Sequence, residues 1–376
     1  MGNKELKNNI GELISALSQC NTTKIKAVMG LDGFIDVILH PVLERSDANT
    51  YTRIETLKEF GKIISKASGL STSVEMVPIK SKLGGNGPIL SNALGNYGMD
   101  ITYIGALGSP DINPVFNEMK DKCTLISIGN PGLTDAVEFF DGKLMIGKRE
   151  SLKELTWHNI KKTIGIDALV KMFNEANLIG LENWTMIPYM TEIWEGLLNE
   201  VIPRLPKSLE KKFIFFDLAD PENRKKEDIL KALKVINFFS SHFNVILGLN
   251  LKEAKEIAVI LNVIGPNTLI SLDKLTEKIY DKLSIYSVVI HPVKEASTIC
   301  NGLYYHTPGP YEPNPKLTTG AGDNFNAGFC LGLALGLSPN LSLVLGTATS
   351  GYYVRNGQSP TLEEEIEFLK TWQESL

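Results

Sequence analysis

Six short runs of β-branched and aromatic residues recur along the chain: KIKAVMG, ITYIGALG, ANLIGLEN, KKFIFFDLAD, FNVILGLN and YSVVIHPV. Each is apolar at consecutive rather than alternate positions, the pattern of a strand buried on both faces. Segments of helical period lie among them, at Pro188 to Glu200, Lys226 to Phe239 and Leu251 to Leu261. Buried strands connected by helices predict a mainly parallel sheet wrapped by helices, and such sheets bind ligands beyond the carboxyl ends of their strands.

Two segments break this rhythm. Ser73 to Lys82 alternates apolar and polar residues, and Ala136 to Lys148 reads as two strands around Asp141-Gly142, a type I′ hairpin signal. Together they predict a small, half-exposed antiparallel sheet within 37–82 and 134–150, acting as a lid over a site or as a plain surface hairpin. No repeat, low-complexity tract or linker divides the chain, so residues 1–376 are expected to form one α/β domain. The longest apolar stretch, Phe325 to Leu337, is interrupted by Asn326 and glycines. It is shorter than the roughly 20 residues that cross a bilayer and is read as a buried helix.

Composition narrows the partners. The 376 residues are 43% apolar and 22% charged, with a formal charge of -5 and no basic tract, so neither nucleic acid nor an anionic membrane has a surface to bind. Small molecules held in a pocket are the expected ligands. Cys20, Cys123, Cys300 and Cys330 lie far apart without C-x-x-C spacing, which suggests neither a disulfide framework nor a zinc site. Met1 to Leu17 mixes Lys4, Glu5, Lys7 and Glu12 among its apolar residues, unlike a signal peptide, and a cytoplasmic location is expected.

The strongest chemical signal is LTTGAGDNFNAGF, Leu317 to Phe329. Gly320 and Gly322 let backbone N–H groups approach a ligand, and a helix opening there turns its positive dipole end toward phosphate oxygens. Asp323 beside such an anion hole is placed to take a proton from an attacking hydroxyl. A plain glycine turn with a capping aspartate is the alternative. In KLGGNGPILSNALGNYG, Lys82 to Gly98, Gly84-Gly85 precede a helix, and Asn86 and Asn92 are candidate partners for hydroxyls. In GLDGFID, Asp32 and Asp36 leave the first strand four residues apart, suited to gripping vicinal hydroxyls, with a turn or capping role for Asp32 as the alternative. Asn250 and Glu253 open a helix after a buried strand, where a capping box explains them as well as magnesium does. Asp217, Asp220 and Arg224 also sit at a strand end, with caps or surface ion pairs as the alternative.

These motifs, in this order, resemble the signatures of the ribokinase-like (PfkB-type) carbohydrate kinase superfamily. Thr318, Gly320, Ala321, Gly322, Asp323, Phe325, Ala327 and Gly328 match its D-T-x-G-A-G-D-x-F-x-A-G motif in register. The resemblance implies a three-layer sandwich around a mainly parallel sheet with a β lid. It implies Asp323 as catalytic base, Gly320, Ala321 and Gly322 as anion hole, and Asp32, Asp36, Gly84, Gly85, Asn86 and Asn92 around the acceptor. Asn250, Thr318 and Thr319 fall on the nucleotide and phosphate side, with Glu253 handling Mg²⁺ through water. The expected reaction is phosphoryl transfer from a Mg-nucleotide to a hydroxyl of a sugar or nucleoside, with ATP as donor and a homodimer paired through the lid. Asn92, three residues beyond the usual asparagine position at Ile89, resembles the ADP-dependent sugar kinases and keeps ADP open as donor. Leu317 replaces the usual aspartate, and His291-Pro292 replaces a usual Thr-x-Gly, which marks a divergent member. A non-catalytic sugar- or nucleoside-binding protein on the same fold is the alternative. The chain lacks both a Walker A motif and G-x-G-x-x-G after its first strand, which argues against a P-loop kinase and a dinucleotide oxidoreductase.

Overall fold

The computed structural model describes residues 2–206 and 211–376. Its strands are β1 Lys26–Leu31, β2 Phe34–Arg45, β3 Tyr51–Arg53, β4 Met76–Gly84, β5 Asp100–Gly105, β6 Cys123–Ser127 and β7 Gly132–Phe139. They continue with β8 Gly142–Lys148, β9 Leu178–Leu181, β10 Lys212–Asp217, β11 Phe243–Leu249, β12 Ser287–Ile290, β13 Glu295–Cys300 and β14 Leu303–Pro308. The helices are α1 Asn3–Gln19, α2 Leu57–Lys66, α3 Asn86–Asn96, α4 Asn117–Lys120, α5 Trp157–Ile164, α6 Ile166–Glu175 and α7 Met190–Gly196. After them come α8 Lys226–Phe238, α9 Leu251–Ile260, α10 Leu272–Leu283, α11 Ala321–Ala334, α12 Pro339–Asn356 and α13 Leu362–Ser375.

All six apolar runs form strands of one nine-stranded sheet, ordered β14-β13-β12-β11-β10-β9-β1-β5-β6. It is parallel from β6 to β12, and β13 and β14 extend it antiparallel. Neighbouring residues of one strand point to opposite faces. Val28, Ile214 and Phe216 therefore join a core under α5 to α10, while Ala27, Met29 and Phe215 join another under α1, α3, α11, α12 and α13. The result is three layers. Strand order reverses at β1, which lies between β5 and β9. That reversal opens a crevice at the carboxyl ends of β1 and β9, where a ligand site is expected.

The smaller sheet is built on β2, with β4 antiparallel along one edge, β7 parallel along the other, β3 antiparallel to the far end of β2, and β8 antiparallel outside β7. Its strands start at Phe34 and Gly132, earlier than the sequence windows. Alternation alone suggested an all-antiparallel ribbon, but β7 runs parallel to β2 because a long connection through the main sheet separates them. Pairing of Phe139 with Gly142 leaves Phe140 and Asp141 as the two-residue loop, one position earlier than an Asp-Gly turn. Asp141 instead accepts a hydrogen bond from the Leu57 amide at 2.8 Å. That bond helps to seat α2, whose Phe60 packs with Leu39, Ile54, Val137 and Phe139 on one face of the sheet. The other face carries Asp36, Ile38, Lys80, Lys82, Thr134 and Glu138 in register.

Smaller differences have local causes. The helix predicted from Pro188 begins at Met190 and turns π-helical over Leu197–Val201, ahead of Pro203. β14 runs through Pro308, so the loop expected from Thr307 starts at Gly309. The amino-terminal segment is the amphipathic helix α1, burying Leu6, Ile10, Leu13 and Leu17 on one stripe. Among the described residues, no helix is long and apolar enough to cross a membrane.

Candidate active site

Asp323 stands in the first turn of α11, only 8% exposed. Gly320 caps that helix at φ +92°, a left-handed conformation that suits glycine, and a Cβ there would come within 2.8 Å of the Tyr353 hydroxyl. The Ala321 amide closes a turn on the Thr318 carbonyl at 3.1 Å. The amides of Gly322 and Asp323 belong to the turn that an α-helix leaves without intrahelical partners. They, with Gly320, are the donors available to an anion, and Ala321 contributes to the shape of the turn rather than a free amide. Thr319 offers its carbonyl to the Tyr353 hydroxyl at 2.8 Å.

The second glycine turn meets the first. Gly85 has φ +100° as the cap of α3, and the side-chain amide of the next residue, Asn86, donates to Oδ1 of Asp323 at 3.0 Å. Gly84 pairs with Phe34 of β2, and the absence of a side chain makes room for the Asp36 carboxyl, which would lie 2.5 Å from a Cβ. Asp36 is buried on the inner face of the small sheet, and burial raises its pKa against the opposing pull of Lys82, Thr134 and Lys143. Asp36, Gly84, Gly85, Asn86 and Asp323 therefore converge at the crevice where strand order reverses.

Asp32 does something different from gripping a ligand. It is fully buried and accepts from the amides of Asn86 and Gly87 at 3.0 Å each and from Asn183 Nδ2 at 2.6 Å. The Tyr103 hydroxyl donates to its carbonyl at 2.7 Å. An acceptor placed on the first amides of α3 satisfies that helix start, so the capping role wins: Asp32 positions Asn86 and presents no free oxygen to a substrate. Burial pushes its pKa up to about 6, with these donors opposing.

Around Asp323 lies a set of buried carboxylates. Its own pKa is pushed up to about 8, first by burial, then by the charge of Asp32, with Asn86 pulling down and Glu253 pushing up. Asp217 ends β10 and is raised well above its usual value by burial and by Glu253 and Asp323; its Oδ1 is buried without a hydrogen-bond partner. Glu182, just beyond β9, has both carboxyl oxygens buried and unpartnered, and its pKa is raised well above the usual carboxylate value by burial and by the charges of Asp32 and Asp217. Sequence reading missed Glu182 because nothing in LEN distinguishes it from a strand-end residue. Asp217 was legible as a strand-end aspartate, but Arg224 beyond it is structural, donating to the Thr185, Trp184 and Ile187 carbonyls.

Asn250 and Glu253 form the capping box of α9, each side chain accepting from the other residue's amide, and Glu253 also accepts from the Asp220 amide at 2.9 Å. Both Glu253 oxygens are thus engaged. Among the described residues no cluster of three or more His, Cys, Asp or Glu is arranged to hold a metal directly. Oxygen donors at Asn250, Glu253 and the orphaned Asp217 Oδ1 fit a hydrated hard cation that brings other ligands with it.

Two cavities flank the Leu317–Asp323 turn. One, of about 340 Å³, is lined by Asn250, Thr318, Ala321, Gly322 and the His291-Pro292 pair. His291 is half-buried with its ring 4.8 Å from that of Phe325, and desolvation lowers its pKa to about 4, so it is a neutral wall of the cavity. The other, of about 610 Å³, opens between the small sheet and the body and touches Ile89, Asn92, Leu317 and Tyr353. Asn92 lies here, apart from Asn86, with its Oδ1 accepting from Lys122 Nζ at 2.8 Å.

The prokaryotic ketohexokinase family matches residues 17–372. Ketohexokinase of Haloferax volcanii is 30% identical over 341 residues, covering 90% of this chain and 89% of that protein. Among solved structures, Arabidopsis thaliana ribokinase complexed with ribose and ATP aligns over 92% of this chain and 98% of its own at 15% identity, with a TM-score of 0.60. A putative ribokinase II from E. coli in complex with ATP and Mg²⁺ aligns over 94% of this chain and 100% of its own at 11% identity, with a TM-score of 0.61. These two structural likenesses bear on the fold, which is ribokinase-like.

Proposed function

The chain belongs to the prokaryotic ketohexokinase family and is a sugar kinase, and from that premise we propose that it transfers the terminal phosphoryl group of Mg-ATP to a hydroxyl of a ketohexose. The observation that carries the reading is the 3.0 Å hydrogen bond from Asn86 to Asp323, which joins the two glycine turns at the strand ends. Asp36 and the Gly84-Gly85 backbone hold the acceptor. The ionised Asp323 takes the proton of the attacking hydroxyl as its oxygen bonds to the terminal phosphorus, and the bridging P–O bond breaks to release the nucleoside diphosphate. Amides of Gly320, Gly322 and Asp323, with the α11 dipole, balance the charge on the transferred group. Magnesium, when bound, neutralises phosphate charge, and Asn250, Glu253 and Asp217 are the residues that would hold its water shell.

The small sheet is read as a lid carried by a single ribokinase-like domain, since its polar face looks onto the acceptor side. A cytoplasmic location follows from the need for nucleotide. The lid dimer suggested by the resemblance has the open β8 edge and exposed Phe140 and Ile146 as its candidate contact, because α2 already covers part of the apolar face. Light scattering at the monomer mass would exclude it. A non-catalytic binding protein is not favoured, because the matching family and the relative at 30% identity are ketohexokinases. Nucleotide turnover with Mg²⁺, measured over ketohexoses, aldoses and nucleosides with ATP or ADP as donor, tests the reading. Ketohexose with ATP is expected to turn over fastest; a preference for a nucleoside or for ADP would overturn the assignment.

A further inference from the structure

Between the end of β14 and the start of α11, residues 309–320 form neither strand nor helix. Pro310, Tyr311, Glu312 and Pro315 of this loop line the 340 Å³ cavity that also touches Asn250, Thr318 and Gly322. A loop of this length keeps one shape only where its backbone polar groups find fixed partners. Arg355, in the last turn of α12, supplies them. Its Nη1 donates to the Pro310 carbonyl at 2.9 Å and to the Gly351 carbonyl of its own helix at 2.7 Å, and its Nη2 donates to the Tyr311 carbonyl at 3.0 Å. Its Nε pairs with Glu312 Oε2 at 3.3 Å, while Glu312 Oε1 accepts from the Asn314 amide at 2.9 Å. The guanidinium carbon lies 5.4 Å from the centre of the Phe368 ring in α13. Pro310 sits so close to α12 that a Cβ at Gly351 would come within 2.5 Å of its ring.

The turn that carries Asp323 is fastened separately. The Lys316 amide donates to the Val354 carbonyl at 2.8 Å, and the Tyr353 hydroxyl donates to the Thr319 carbonyl at 2.8 Å. We infer that Arg355 is a positioning residue for the nucleotide: without lining the cavity itself, it fixes loop 310–315 as the wall against which the base of the phosphoryl donor binds. The inference rests on the sugar-kinase reading for the presence of a nucleotide in this cavity. Pro292, Val293, Pro310, Tyr311 and Pro315 provide the apolar lining that a heterocyclic base fills. With the wall fixed beforehand, binding carries no cost of ordering it. Without Arg355 that cost falls on nucleotide binding, so affinity drops while the bound nucleotide reacts at an unchanged rate.

Arg355→Met keeps an unbranched chain beside Phe368 and removes every donor. Calorimetric titration with Mg-ATP in the absence of sugar, titration with fructose, and steady-state rates compare it with wild type. The expected result is a rise of about tenfold in the Kd and KM of ATP, with fructose affinity and kcat within about threefold. Arg355→Lys keeps a cation for Glu312 but loses the fork that spans two carbonyls, and gives a smaller rise in the same direction. It carries the test if thermal unfolding shows the methionine variant to be unfolded at the assay temperature. ATP affinity unchanged in the variants would overturn this inference alone. So would an equal loss of ATP and fructose affinity, which marks general loosening, or a fall in kcat with the KM of ATP unchanged, which places Arg355 behind the Asp323 turn. A wild-type protein that binds no nucleotide would overturn the sugar-kinase reading and this inference with it.

Discussion

The side-chain amide of Asn86 donates to Oδ1 of Asp323 across 237 residues of sequence, at 3.0 Å. Asp32 holds Asn86 in place from below by accepting its backbone amide. The Asp323 carboxyl, the proposed base, is therefore set by two neighbours with opposite electrostatic effects, since Asn86 favours the carboxylate and the charge of Asp32 disfavours it.

That opposition predicts the pH dependence of turnover. Asp323 must be ionised to accept a proton, and its pKa of about 8 makes kcat/KM rise with pH through that region. Asn86→Ala removes a stabiliser of the carboxylate and moves the acid limb to higher pH. Asp32→Asn removes a like charge and moves it lower, at a cost in stability from the altered α3 cap. Measurement of kcat/KM against pH for the three proteins checks this; limbs moving in the same direction would remove the electrostatic account.

Gly320→Ala forces a Cβ into the left-handed region and against the Tyr353 hydroxyl, which carries a hydrogen bond to Thr319. Strain of this kind costs about 1–3 kcal/mol. Displacing the turn by a fraction of an ångström is expected to lower kcat by about 100-fold. Thermal unfolding and initial rates report the two effects separately, and full activity in a destabilised variant would dissociate the turn from the chemistry.

Glu365, fully buried in α13 beside the Tyr97–Thr349 hydroxyl pair, has its pKa pushed up to about 8 by burial. A carboxyl raised above its unfolded value binds a proton more readily in the native state, so this group loses stability as pH rises from about 4.5 to about 8 and changes little beyond. The slope is at most about 1.4 kcal/mol per pH unit. Glu365→Gln is expected to flatten the dependence of urea-unfolding free energy on pH over that window; an unchanged slope would show that Glu365 titrates normally.

The parallel sheet and the Asp323 turn are legible in the sequence because both are local: consecutive apolar residues define the strands, and GAGD places a base within one helical turn. β2 was not legible as the centre of a second sheet, since its partners β4 and β7 come from distant segments and its own pattern continues directly from the first strand. The role of Asp32 was equally hidden, because contact or cap depends on where the α3 amides land. Asp217 comes near Asp323, and Glu182 near Asp32 and Asp217, only through the register of β1, β9 and β10.

The proposed reaction depends on Asp323 as the proton acceptor. Asp323→Asn keeps the shape of the residue and removes its basicity, so steady-state turnover with Mg-ATP and ketohexose should fall by about 100-fold to 10,000-fold while acceptor affinity, measured by calorimetry, changes less than about threefold. Turnover retained within about tenfold of wild type would contradict it.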